Sequence, residues 1–245
     1  MGAALIAAAG LALPSRARGE ATYDRTLRFS GYDWLVKTST EPVGPGPNRF
    51  SDSTRSVWVD RAGRLHLKIR RESDTWMSAE VVSTESFGHG TYRFALDRPV
   101  HRLPPLAVLG LFTWNGDDPA FFHREIDIEF SRWGNAYAST NAQYVVQPYD
   151  DAGNVRRFVE PPGAGRSTHT LLWLPGSVSF QSLRGPHATP PDPGAVIQEW
   201  TTSQGVPPAG GEHARINLWL FRGLPTTNRA SAQVVLSRFE FVPAP

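Results

Sequence analysis

A chain of 245 residues, 40% hydrophobic and 20% charged, has the length of one large domain and the balance of a folded one, which excludes a disordered or coiled-coil chain. Its 25 Lys and Arg stand against 23 Asp and Glu, and arginines scattered at Arg25, Arg61, Arg98, Arg156 and Arg229 form no stripe for nucleic acid. Cysteine is absent, which excludes disulfides, thiolate nucleophiles and cysteine metal sites, while 22 Gly, 21 Pro and 8 Trp point to strands, tight turns and flat side chains for a core or for stacking on a ligand.

In chain order, the first feature is the apolar run Ala3 to Leu13, followed by Pro14 and the small-residue sequence Ser15-Arg16-Ala17. It resembles a secretory signal peptide cut after Ala17 or Ala21, and it falls short of the roughly 20 apolar residues a bilayer span needs. The expectation is a leader over residues 1–21, a single domain over 22–245, and a secreted monomer. From Phe29 onward, apolar runs of strand length recur between turn signals, with no sustained helical period. The clearest hairpin joins Ser56 to Val59 with Leu65 to Ile69 through Asp60-Arg61-Ala62-Gly63-Arg64. Further strands are expected over Ala79–Ser83, Gly90–Leu96, Ala107–Trp114, Glu125–Phe130, Ala142–Val146, Thr170–Leu174, Ser177–Leu183, Ala214–Phe221 and Ser231–Phe241. Glu41–Pro47, Glu160–Gly165, Gly185–Gly194 and Gly205–Gly211 read as loops. So many short strands in one domain predict an all-β, two-sheet antiparallel sandwich of jelly-roll type.

The stretch His123-Arg124-Glu125-Ile126-Asp127-Ile128-Glu129-Phe130 alternates ionisable and apolar residues, so a strand here puts His123, Glu125, Asp127 and Glu129 on one face. Three carboxylates in a row repel one another unless one holds a proton or a ligand compensates. The Cα atoms of Glu125 and Glu129 are roughly 13 Å apart on a strand, and side chains leaning together bring the carboxyls to roughly 5 to 6 Å. That matches the pair of a retaining glycosidase, at about 5 to 5.5 Å. A polar strand face turned to solvent is the plain alternative, and a metal site is a second, although consecutive residues on one strand face diverge from a common centre.

These residues resemble glycoside hydrolase family 16, in the unbulged E-x-D-x-E form of its lichenase and xyloglucan-transferase branch. Phe29-Ser30-Gly31, Asn48-Arg49-Phe50-Ser51, Ala79-Glu80-Val81 and Gly110-Leu111-Phe112-Thr113-Trp114 precede the motif in the family's order. Asn141-Ala142-Gln143, His169-Thr170 and Asn217-Leu218-Trp219 follow it, so the likeness spans roughly Phe29 to Phe241. The resemblance implies a jelly roll of the concanavalin A-like type and a retaining endo-hydrolase of a β-linked polysaccharide, such as a β-1,3/1,4-glucan. Transglycosylation by the same carboxylates, or a lectin-like binding module, are the alternatives. It implies Glu125 as nucleophile, Glu129 as acid and base, and Asp127 as the residue that holds and tunes the nucleophile. Glu80, Trp114, His123, Asn141, Gln143 and Trp219 are the implied substrate contacts, and Asn48 matches a further contacting Asn. Two departures stand out: lichenases commonly have Arg two residues beyond Glu80, where Val82 stands, and Glu240 replaces the Asp near a structural calcium of some relatives. No cofactor is expected and no metal ligands are assigned, a structural calcium being left open, and the partner is polysaccharide alone.

Overall fold

The computed structural model describes residues 19–163, 165–226 and 229–245, and among them every element longer than three residues is a strand. The first part of the chain forms β1 (Thr22–Phe29), β2 (Tyr32–Val43), β3 (Asn48–Phe50), β4 (Val57–Val59), β5 (Leu65–Glu72), β6 (Thr75–Ser86) and β7 (Gly90–Leu96). The middle forms β8 (Ala107–Trp114), β9 (Ile126–Phe130), β10 (Ala142–Val146) and β11 (Val155–Phe158). The last part forms β12 (Ser167–Leu174), β13 (Ser177–Arg184), β14 (Val196–Thr202), β15 (His213–Leu220) and β16 (Ala232–Pro243).

The strands make two sheets, antiparallel throughout except where the short β3 lies parallel to β6. One runs β11-β10-β9-β8-β15-β6 and continues through β2 to β1; the other runs β5-β16-β7-β12-β13-β14, with β4 on the outer side of β5. They share an edge because β5 pairs with β16 over Leu65–Ile69 and then turns its end, Arg70–Glu72, onto β6. Neighbours distant in sequence, such as β8 beside β15, give the crossed connections of a jelly roll. Alternate residues fill the space between the sheets. Ile126, Ile128, Tyr144, Ile216 and Leu218 from the first join Tyr92, Phe94, Leu171, Trp173 and Phe239 from the second in one cluster at 0–1% exposure. Each such side chain contributes roughly 1.5–3 kcal/mol by leaving water. The same pleat turns Asp127 and Glu129 away from this core.

The expected boundaries of β7, β8 and β10 match residue for residue. β1, β3, β11 and β14, and most of β2, carry no sequence expectation, because they are short or polar: β1 alternates exposed and half-buried positions, and β11 holds Arg156 and Arg157 at its exposed centre. β2 also runs to Val43, into the segment read as the loop Glu41–Pro47. The apolar run Ala3–Leu13 lies outside the described residues.

Candidate active site

The ladder determines what stands beside the three carboxylates. Across the first sheet the register places Arg157, Gln143, Glu129, Gly110, Asn217 and Glu80 side by side, on β11, β10, β9, β8, β15 and β6. One step along, Val145, Asp127, Phe112, Arg215 and Val82 form the next row. These rows floor a cleft of about 720 Å³ lined by Glu125, Asp127 and Glu129 and walled by Trp114, Trp133, Trp219 and Tyr149. Gly110 keeps the floor low beside Glu129: a Cβ there would stand 2.6 Å from Asn217 Oδ1, which accepts from the Gly110 N–H at 3.1 Å.

Each carboxyl has its own set of neighbours. Gln143 Nε2 donates to Glu129 Oε2 at 2.7 Å, and Gln147 Nε2 donates to Asp127 Oδ2 at 3.1 Å. Asp127 and Glu125 are near enough that each acts on the proton affinity of the other. All three are shifted upward. Burial, then the charge of Glu129, pushes Glu125 up to about 8. Burial, then Glu125 and Glu129, holds Asp127 well above the carboxylate range. Burial also raises Glu129, against the opposing hydrogen bond of Gln143 and the charge of Arg157. Groups this close titrate as a cluster, each carboxyl pushing its neighbours toward the protonated form.

Glu125 is not itself in the strand. Four successive residues before it, Phe121 to Arg124, have φ between 52° and 60°, a left-handed turn that side chains of this size rarely adopt. Thr113 Oγ1 donates to the Arg124 carbonyl at 2.7 Å and the Asn115 N–H to the His123 carbonyl at 2.7 Å, and Arg124 pairs with Asp118 at 2.7 Å. The strand alternation expected through His123 therefore breaks before Glu125. His123 bonds through Nδ1 to the Asn115 carbonyl at 2.7 Å and stacks on Trp114, with ring centroids 4.0 Å apart. Trp114, not His123, faces the cleft. The His123→Ala protein is expected to show KM raised about fivefold with kcat nearly unchanged, since a stack of this kind contributes about 1 kcal/mol to holding the indole. Steady-state kinetics on a soluble glucan check it.

The other expected contacts divide. Gln143, Trp219 and Glu80 line the cleft. Asn141 does not: it stands one residue before β10, and its amide is occupied on both sides by the Glu160 backbone, at 3.0 and 2.7 Å. Asn48 is likewise spent inside the fold, where it holds the carbonyls of Pro45 and Leu220 at 2.8 Å and accepts from Ser78 Oγ at 2.9 Å. Glu80 is 1% exposed and bound by two cations, Lys37 Nζ at 3.0 Å and Arg215 Nη1 at 2.9 Å. Burial alone would raise it, but the pair outweighs burial and holds its carboxyl below the ordinary range. The arginine missing at Val82 is thus replaced from across the ladder, because Arg215 is the register partner of Val82. Sequence reasoning missed Lys37, Arg215, Gln147 and Tyr23, all of which line the cleft. Arg215 had a signal: it shares a strand face with Asn217 and Trp219. Among the described residues no group of three or more His, Asp or Glu side chains is arranged to hold a metal ion. Glu240 does not fit a calcium site, since Arg93 and Arg238 occupy its carboxylate.

No family model and no curated protein matches the chain. Solved structures do. The Bacillus licheniformis β-glucanase aligns with a TM-score of 0.66 at 16% identity over 92% of this chain and 99% of that one. A family 16 glycosyl hydrolase of Mycobacterium smegmatis aligns with 0.59 at 15% over 88% and 98%. A Mycobacterium tuberculosis protein described as an immunostimulatory antigen and pseudo β-1,3-glucanase aligns with 0.60 at 18% over 86% and 91%. The chain has the jelly-roll fold of the family 16 β-glucanases, and at these identities the likeness extends to the fold.

Proposed function

We propose that the chain is a retaining, endo-acting glycoside hydrolase that cleaves a β-linked polysaccharide, a β-1,3/1,4-glucan or related polymer, by double displacement. The observation that supports it best is the trio of Glu125, Asp127 and Glu129 gathered in one cleft walled by tryptophans. A retaining mechanism needs one carboxylate and one carboxylic acid at a single anomeric centre. In this reading ionised Glu125 attacks the anomeric carbon while Glu129 gives its proton to the departing glycosidic oxygen. Glu129 then takes a proton from the water that attacks the glycosyl-enzyme, restoring the acid and releasing the sugar with its configuration kept. Asp127 keeps a proton on the Glu125 side and so holds the nucleophile. Trp114, Trp133 and Trp219 offer faces for sugar rings, and Gln143 orients the acid. The protein acts outside the cell as a monomer, with residues 1–21 removed as a leader, and these steps use its own side chains only.

Transglycosylation differs only in whether a sugar hydroxyl replaces water in the second step. A binding-only module is the reading that the pseudo-glucanase neighbour brings forward; the buried, mutually repelling carboxylates weigh against it, since binding sugar needs none of them. Reducing ends released from lichenan, laminarin, xyloglucan and agarose decide among the three. We expect release from at least one polymer, with the first product seen by proton NMR in the β configuration. Binding without release, or a first product of α configuration, would overturn the proposal.

A further inference from the structure

We propose that Arg215 is the positioning residue that lets Glu125 ionise while Asp127 keeps its proton, with the Lys37–Glu80 pair as its anchor. The inference rests on Glu125 being the nucleophile. Two buried cations, Lys37 and Arg215, bracket one buried anion, Glu80, so one positive charge is left over at this end of the cleft. An ionised Glu125 neutralises it, while Arg157 stands at the Glu129 end of the row. The surplus positive charge at this end therefore favours the ionised form of Glu125 that double displacement requires.

The two cations are not equivalent. Lys37 Nζ is held by the Gly44 carbonyl at 2.7 Å as well as by Glu80, which keeps it on the far side of the pair. Arg215 commits Nη1 to Glu80, while its buried Nε has no partner among the described residues. Gly116 leaves room for the guanidinium: a Cβ at that glycine would stand 3.4 Å from Nη2. Val82, directly opposite on β6, brings no competing charge. Around Glu125 stand Asp127 and Glu129 on β9, Gln147 after β10, Arg215 on β15 and Glu80 on β6. Tyr23 of β1 and Lys37 of β2 lie behind Arg215 and Glu80, Arg157 of β11 acts on Glu129, and His123 and His213 are tied to backbone carbonyls. Arg215 and Glu125 line the same cleft, and the guanidinium draws the Glu125 carboxyl downward against burial and the charge of Glu129.

The test is a carbon-13 carboxyl NMR titration of the full protein labelled at glutamate, with the Glu125 resonance assigned from the Glu125→Gln protein. In Arg215→Gln, whose amide still reaches Glu80 without charge, the Glu125 midpoint is expected to rise by about one pH unit or more, and Arg215→Lys to bring it back. Glu80→Gln, which frees Arg215 from its anion, should lower the midpoint and serves where Arg215→Gln does not fold. The acid limb of kcat/KM on lichenan should move with the midpoint. A midpoint in Arg215→Gln within about 0.3 unit of the parent, or unmoved in Glu80→Gln, overturns the inference. The titration needs no substrate, so the two readings fail separately: a moved midpoint with no polymer cleaved overturns the hydrolase, and cleavage with an unmoved midpoint overturns only the role of Arg215.

Discussion

The Glu125→Gln and Glu129→Gln proteins are expected to fold as the parent does and to lose turnover by about a thousandfold or more, since each step of double displacement passes through both groups. Gln fills the volume of Glu and keeps one hydrogen-bonding oxygen, so neither the Gln143 contact to position 129 nor the packing against β10 has reason to change. Far-ultraviolet circular dichroism and the melting temperature check the fold. The two roles then separate with azide and an aryl glycoside whose leaving group needs no proton. In Glu125→Ala, azide enters from the vacated side and gives the α-glycosyl azide. In Glu129→Ala the glycosyl-enzyme still forms, and azide attacks it to give the β-azide. The opposite pattern would exchange the roles of the two glutamates, and undiminished hydrolysis of polymer by Glu129→Gln would remove it from the mechanism.

The parts of this site legible in the sequence were those that one strand carries alone. Alternation in Ile126-Asp127-Ile128-Glu129-Phe130 separates core from cleft without knowledge of the partners, and β9 obeys it. His123 did not follow, because the left-handed turn from Phe121 to Arg124 is imposed by Thr113, Asn115 and Asp118, none of which a strand pattern weighs. Asn141 has the right residue type one step before the right strand, yet the Glu160 backbone claims its amide, a contact made across the β10–β11 pair. Lys37 and Arg215 were harder still. Each is one charged residue in an ordinary strand, and their meaning arises only when β2, β6 and β15 lie side by side with Glu80 between the two cations. Charge compensation is a property of the folded sheet, and register is what the sequence leaves unsaid.

Melting temperature measured against pH should expose the energetic cost of the same arrangement. Glu125 is raised from an ordinary value of 4.5 to about 8, chiefly by burial and then by Glu129. Burial also lifts Glu160 to about 7, against the pull of Arg184, and neither of its carboxylate oxygens has a hydrogen-bond partner among the described residues. Between 4.5 and these values the folded chain keeps protons that the unfolded chain has released. The stability from these two groups is therefore complete below about pH 4.5 and is lost as pH rises through about 7 for Glu160 and about 8 for Glu125. Converted in full, the Glu125 shift would amount to about 5 kcal/mol; water entering the cleft and relaxation around the charge reduce it to about 2 kcal/mol. Glu125→Gln is expected to melt roughly 4–8 °C above the parent at pH 9 and level with it at pH 4. Glu160→Gln should show the same crossover at a lower pH. A gain that does not change with pH would assign the effect to packing instead of protons. Activity separates the two positions: Glu160 is absent from the cleft lining, so its variant should gain stability and keep turnover, whereas Glu125→Gln gains stability as turnover is lost. A carboxyl whose removal stabilises the fold and ends catalysis is one that the fold carries for the chemistry.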